Sequence, residues 1–359
     1  MRLAHSSIPL IAIALTAAAF GVAQTGATPA QARVELGRLL FFDPILSGSR
    51  DLSCAHCHHP DLGMADGRVL AMGRGGGGVG PARQGGVTLR RHTPSLWNVG
   101  DSHSLFWDGR AASLEAQARE VLVHPEEMAS DPARLLPELA AIDEYRERFA
   151  QAFPGSPAGE AVSIENLAQA LASFQRSLRA DNTRLDRYLG GDLEALSPAA
   201  RRGWKLFGSP MTRCSECHVP PSFRAAEFKV TGLPDAPGAA FDPGRGAWVD
   251  QPMLRGAFKV PGLRNVARSG PYMHDGSLAS LEEVIDFYAS GRGRERLSEG
   301  MAVDDFIRRF EINAEDRADL VAFLTSLTDE SRRPEIPARV PSGLRVVAPI
   351  TPSEDRLPR

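Results

Sequence analysis

Several features are scarce in this sequence, and each scarcity excludes a class of protein. The chain of 359 residues has four cysteines, all in two Cys-x-x-Cys pairs, so none remains for a disulfide framework. Lysine and arginine form no long run and the formal net charge is only −3, which excludes the basic surface of a nucleic-acid-binding protein. Strand-like alternation of apolar and polar residues is also rare, which disfavours an all-β fold.

The one long apolar run lies at the N-terminus. It extends from Ile8 to Val22, follows Arg2 and ends at Ala23, an order typical of a secretory signal peptide. A membrane anchor is the competing interpretation, but this run of about 15 residues is shorter than the roughly 20 that span a bilayer. We therefore expect residues 1–23 to be removed on export, leaving a periplasmic protein without an integral membrane span.

Each cysteine pair is followed at once by a histidine, which indicates covalent haem attachment. A c-type haem needs two thiols three positions apart for its vinyl groups and an adjoining imidazole for its iron. Zinc, the competing interpretation, would require four ligands at matched spacing, whereas about 156 residues separate the two pairs. The sequence thus predicts two covalently bound haem c groups with His58 and His218 as proximal ligands. The attachment motifs are Cys54-Ala55-His56-Cys57-His58 and Cys214-Ser215-Glu216-Cys217-His218.

A repeated motif and helical periodicity predict two related units. The segments 36–41 (LGRLLF) and 202–207 (RGWKLF) each precede a haem motif. Apolar residues at three- and four-residue steps predict a helix from about Ile164 to Leu189, with Ser163 as its N-cap. We expect a mostly α fold of two cytochrome-c-like haem domains with long loops. The predicted regions are a signal peptide (1–23), an N-terminal haem domain (24–190), a C-terminal haem domain (191–328) and a Pro/Arg-rich tail, on the surface or disordered (329–359).

Four sequence segments lie before, between and after the two haem motifs. They are 36–44 (LGRLLFFDP), 106–110 (FWDGR), 125–128 (PEEM) and 270–277 (GPYMHDGS). Together with both CxxCH motifs, they resemble the bacterial di-haem cytochrome c peroxidase and MauG family over roughly residues 34–328. The resemblance implies that the N-terminal haem is the peroxidatic one and that the C-terminal haem relays electrons.

The resemblance also implies roles for three residues of the N-terminal domain. Trp107 corresponds to the family tryptophan between the two haems, with a packed core side chain as the alternative. Glu127 corresponds to the distal glutamate and Gln117 to its neighbouring glutamine, with a solvated helix carboxylate as the alternative for Glu127. A carboxylate beside the iron can move a proton between the two oxygens of peroxide, which is general acid–base catalysis.

The sequence leaves the axial ligands opposite the proximal histidines open. Family peroxidases use a methionine fourteen positions after the histidine corresponding to His274, and this chain has Tyr288 there, as MauG has a tyrosine. A phenolate ligand would favour ferric iron, whereas Met273 and Met301 are the alternative ligands. At the N-terminal haem, residues 60–91 contain no histidine. We therefore expect an open distal face there, with His92 and His103 the nearby candidates to close it.

Calcium is a further expectation that comes from the resemblance. The family binds one calcium ion between its domains through backbone carbonyls that correspond to Ser269 and Pro271 and through an asparagine side chain. This chain has His92 at the asparagine position. Since calcium prefers oxygen ligands, the sequence leaves its binding open. His274, in the same family motif, is expected near the second haem or the domain interface.

Together these features predict a periplasmic di-haem peroxidase that reduces hydrogen peroxide with electrons from a small protein such as a cytochrome c or a cupredoxin. A MauG-like oxidase that modifies a partner protein is one alternative. A non-enzymatic di-haem electron carrier is the other, but a carrier needs no distal acid–base group such as Glu127. The electron donor and the oligomeric state, a homodimer included, stay open.

Overall fold

The computed structural model describes residues 27–235, 239–291, 293 and 302–350, and the predicted signal peptide lies outside them. The described chain is mostly helical with long loops, which confirms the predicted class, and none of its helices is long and apolar enough to cross a membrane. Strands β1 (Phe228–Lys229) and β2 (Phe258–Lys259) pair antiparallel. The helices are α1 (Pro29–Phe42), α2 (Cys54–Cys57), α3 (Leu114–Val123), α4 (Pro132–Ala141), α5 (Asp143–Ala152), α6 (Ile164–Ser177), α7 (Arg184–Leu189), α8 (Pro198–Phe207), α9 (Cys214–Cys217), α10 (Leu281–Ser290) and α11 (Ala314–Ser326).

Two hydrophobic cores form around aromatic contacts. Phe41 of α1 packs on Phe174 of α6 in the first core, with 5.0 Å between ring centroids. Phe207 of α8 packs on Phe323 of α11 in the second core, with 5.1 Å between centroids. The core residues from Leu36 to Ala180 belong to the first core, and those from Leu185 to Leu327 belong to the second. This change lies somewhat before the predicted boundary at residue 190.

The single helix predicted from about residue 164 to 189 is wrong, although its start is confirmed. Ser163 caps α6 by accepting a hydrogen bond from the backbone N–H of Asn166. The chain leaves the helix after Ser177 and starts α7 at Arg184. Thr183 causes this new start, because its hydroxyl accepts the N–H of Asp186 in a capping box.

The repeated motif places a glycine where two helices cross in each core. A Cβ added to Gly37 of α1 would lie 1.9 Å from the carbonyl oxygen of Ala170 in α6. A Cβ added to Gly203 of α8 would lie 1.9 Å from the carbonyl oxygen of Asp319 in α11. Only glycine permits this approach of the two backbones. The motif therefore packs the helix that precedes each haem motif against a later helix of the same core.

Residues 329–350 are the described part of the predicted tail, and they return to the first core. Val340 and Val347 are buried there. The hydroxyl of Ser342 donates to Asp43 at 2.6 Å, and the ring Nε2–H of His59 donates to the carbonyl of Ala348 at 3.1 Å. This part of the tail is therefore an ordered layer on the N-terminal core.

Candidate active site

The histidine that ends each CxxCH motif is held by backbone carbonyls. The Nδ1–H of His58 donates to Met64 at 3.0 Å, and that of His218 donates to Phe223 at 3.2 Å and Pro261 at 3.1 Å. These bonds leave Nε2 of each ring as the nitrogen with a free lone pair. Burial lowers the pKa of each imidazole to about 4, so both rings are neutral, which is the form that binds iron.

The four cysteines fit haem attachment better than a zinc site. All four thiols are free, and none forms a disulfide. Among the described residues, no group of three or more His, Cys, Asp or Glu side chains converges as a metal site would require. Haem c needs no such convergence, since the thiols bond the macrocycle edge while the histidine reaches its centre.

A continuous cavity of about 640 Å³ joins the two haem motifs. Apolar side chains from both cores, such as Phe41, Leu171, Phe207 and Leu320, form much of its wall. An apolar cavity with a few polar groups suits a large planar macrocycle. The predicted site residues that line it are Cys54, Cys57, His58, His92, Trp107, Gln117, Glu127, Cys214, Cys217, His218, Ser269, Pro271, Met273, His274 and Tyr288.

The predicted distal residues lie on α3 and the turn after it. Gln117 and Glu127 both line the cavity, and the Glu127 side chain is about a quarter exposed, at 24%. Burial raises the pKa of the Glu127 carboxyl, partly opposed by the nearby charges of His124 and Arg110. Nδ1 of His124 lies 3.9 Å from Oε1 of Glu127. His103, a predicted candidate to close the first haem, is exposed and is not part of the cavity wall.

Trp107 lies at the junction of the two units. Its Nε1–H donates to the carbonyl of His92 at 2.8 Å, and its own carbonyl accepts the N–H of Lys259 in β2 at 2.8 Å. The adjoining Asp108 is buried and pairs with Arg91 at 2.6 Å. The indole is therefore fixed by a residue of the first unit and the Trp107 backbone by a residue of the second, while the side chain lines the cavity.

Comparison with known proteins places this geometry in a family. The family model for di-haem cytochrome c peroxidase matches residues 31–194. The methylamine utilization protein MauG of Methylorubrum extorquens is 40% identical over 83% of this chain and 78% of its own length. The chain belongs to the di-haem cytochrome c peroxidase and MauG family. Members of this family are oxidoreductases, and the family implies haem c as the cofactor.

Other relatives of this family support the same assignment. The cytochrome c551 peroxidase of Pseudomonas aeruginosa is 33% identical over 84% of this chain and 80% of its own length. A solved MauG-like protein associated with microbial copper homeostasis matches with a TM-score of 0.74 and 33% identity, over 84% of this chain and 90% of its own. The relatives thus include both peroxidases and MauG proteins.

The structure brings two candidates for the second axial ligand of the C-terminal haem to the cavity. Tyr288 lies on α10, and burial raises the pKa of its phenol, with a further contribution from the thiols of Cys217 and Cys214. Met273 also lines the cavity, in a left-handed backbone conformation with φ of +74°. Met301 lies outside the described residues. The choice between a family methionine and a MauG-like tyrosine stays a prediction.

The residues at the predicted calcium position make direct protein contacts. The backbone N–H of His92 donates to His274 at 2.8 Å, and its ring Nδ1–H donates to Arg68 at 2.8 Å. Ser269 and Pro271 lie in the same cavity wall. An imidazole nitrogen is a poor calcium ligand, and this ring already bonds a carbonyl. The donor set does not fit calcium well, and its binding stays a prediction.

Sequence reasoning missed three cavity-lining residues. His124 directly precedes the PEEM segment, and a histidine beside two glutamates was the signal that could have identified it. Lys259 and Arg224 also line the cavity. No sequence signal marked them, because only the folded chain brings them together.

Proposed function

We propose that this chain is a periplasmic di-haem c-type peroxidase that reduces hydrogen peroxide to water with electrons from a small redox protein. The observation that carries the proposal is the position of Glu127, a carboxyl in the wall of the cavity that also contains His58. Bound haem iron supplies the redox centre for this reaction. His58 and His218 would hold the two irons, and the four cysteines would hold the macrocycles.

Glu127 has the chemistry of a proton-transfer group. Splitting the O–O bond requires a proton to leave one peroxide oxygen and reach the other. Burial raises the pKa of the Glu127 carboxyl toward neutral pH. A group whose pKa lies closer to the working pH both accepts and donates a proton more readily. Gln117 would supply a second polar group at the same wall.

Trp107 supports electron movement between the two haem motifs. It is fixed by hydrogen bonds to His92 and Lys259 and faces the cavity that connects the motifs. An electron carrier would use this arrangement too. A carrier has no use for a distal carboxyl, so Glu127 favours an enzyme.

A MauG-like oxidase acting on a partner protein is the second candidate. It is favoured by the 40% identity to the MauG of Methylorubrum extorquens and by Tyr288 in the cavity wall. Such an enzyme would use the same distal residues but would draw its electrons from side chains of the partner.

Steady-state assays distinguish these functions. The haem-loaded protein should oxidise reduced cytochrome c in a peroxide-dependent reaction that consumes two electrons for each peroxide. Peroxide-dependent oxidation of a co-purified partner protein, without turnover of cytochrome c or a cupredoxin, would establish the MauG-like function instead. If protein that carries both haems shows neither reaction, a non-enzymatic electron carrier is the remaining function. Cell fractionation with detection of the mature mass tests export to the periplasm.

A further inference from the structure

Two paired strands carry lysines in opposite electrostatic environments. β1 and β2 each begin the tripeptide Phe-Lys-Val. Lys229 of β1 is neutralised by Glu227 at 2.7 Å and Asp304 at 2.9 Å. The Nζ of Lys259 in β2 forms no hydrogen bond or ion pair with any residue that the structure describes (27–235, 239–291, 293 and 302–350). Lys259 is thus a cation in the cavity wall without a protein counter-ion.

Arg224 stands beside Lys259 in the same wall. Its guanidinium donates to the hydroxyl of Ser102 at 2.6 Å and to the carbonyl of Trp97 at 3.3 Å, both of which are neutral. The group lies so close to Gly262 that an added Cβ would be 2.6 Å from Nη2. The neutral partners and the glycine fix the guanidinium in place without neutralising it.

Two neighbouring cations in a partly buried wall are costly without an anion. Burial, with the charge of Arg224 as a smaller cause, lowers the pKa of Lys259 to about 8, and burial also lowers the pKa of Arg224. Asp101, whose negative charge acts on Arg224, is itself paired with Arg179 at 2.6 Å. A bound group with two carboxylates would offset this cost by supplying one acceptor for each cation.

The two cations lie on the segments that hold the second proximal histidine. Arg224 directly follows Phe223, and Lys259 comes two residues before Pro261. The carbonyls of Phe223 and Pro261 both accept the Nδ1–H of His218. Any macrocycle bound through His218 is therefore close to both cations.

We propose that Lys259 and Arg224 bind the propionate carboxylates of the haem attached at Cys214 and Cys217. The propionates are the two negatively charged groups on an otherwise largely apolar macrocycle. They match Lys259 and Arg224, two neighbouring cations in a largely apolar cavity wall that form no ion pair with a described residue. Lys259 also donates its backbone N–H to Trp107. The same residue thus places the carboxylates of the C-terminal haem next to the tryptophan between the two haem motifs.

The test uses Lys259→Met in the full haem-loaded protein. An EPR-monitored redox titration gives the midpoint potential of each haem. Loss of the cation should lower the potential of the C-terminal haem, because the propionate charge then favours ferric iron. We expect the equilibrium for electron exchange between the two haems to shift about tenfold, or about 59 mV for a one-electron couple. The propionate-bending Raman band of that haem should shift as well.

Two further variants serve as controls. Lys259→Arg keeps the charge and should restore most of the parent potential. Lys205→Met removes an exposed lysine of α8 and should leave both potentials unchanged, because water screens that charge. If Lys259→Met does not load both haems, Lys259→Gln replaces it. Unchanged potentials and Raman bands in an uncharged variant that retains both haems would overturn the proposal. A shift confined to the N-terminal haem would also overturn it.

Discussion

Replacing Gly203 with alanine tests whether the repeated motif serves helix crossing. The added Cβ would lie 1.9 Å from the carbonyl oxygen of Asp319 and 2.9 Å from the Cβ of Phe323. Ordinary contacts are about 3.5–4 Å, so α8 and α11 must separate locally. Overpacking a core costs about 1–3 kcal/mol, and contact with rigid backbone favours the upper end. Alanine gains about 1 kcal/mol over glycine within a helix, which leaves a net loss of about 2 kcal/mol.

Chemical denaturation of the haem-loaded protein, followed by haem absorbance, measures this loss as a lower midpoint denaturant concentration. Gly208→Ala is the matched control at the end of the same helix. The φ of Gly208 is −89°, and the nearest atom to an added Cβ is the carbonyl oxygen of Trp204 at 3.9 Å. This control should unfold at the parent midpoint. Equal midpoints for Gly203→Ala and the parent would refute the close crossing.

Five other outcomes are expected. Mass spectrometry of the mature protein should show two covalent haems, and haem lost to acid–acetone extraction would contradict this. Glu127→Gln should keep both haems but slow the reaction with peroxide about 100-fold or more, whereas Glu147→Gln, at an exposed position of α5 outside the cavity wall, should react at the parent rate. In the parent, that rate should fall as pH drops through the raised pKa of Glu127, because protonation removes the base, and a flat profile would argue against this role. Cyanide should bind the fully oxidised protein, and spectra indifferent to cyanide would show that a ligand such as His92 closes the first haem. Tyr288→Phe should abolish the low-spin ferric signal of the second haem if tyrosine is the ligand, whereas loss of that signal in Met273→Leu would establish methionine.

The sequence alone supports a prediction of haem attachment, because the chemistry of attachment fixes the spacing of the motif. Two thioethers and one axial nitrogen on a rigid macrocycle demand two cysteines and a histidine in a single short turn. The helical class was predictable for a similar reason, since a helix with one buried face repeats apolar residues every three to four positions. The N-cap at Ser163 follows from the same local chemistry.

Features that depend on distant parts of the chain were not predictable. Lys259 and Arg224 are 35 positions apart and meet only at the cavity wall. Val340 and Val347 lie in a segment whose apolar residues follow neither helical nor strand periodicity, so their burial leaves no pattern in the sequence. The helix break before Thr183 was missed because apolar periodicity outweighed a capping box inside the predicted helix.

The return of the chain to the first core has a consequence for the order of biosynthesis. His59, next to the proximal His58, meets Ala348 across 289 positions of sequence, and Val340 and Val347 complete the same core. A chain that emerges from the export channel N-terminus first therefore has every residue of the second core available before the first core can close. Such long-range closure is slow compared with local helix formation. If the chain is exported as proposed, the packing of Val340 and Val347 onto the first core would therefore be among the last steps of its folding.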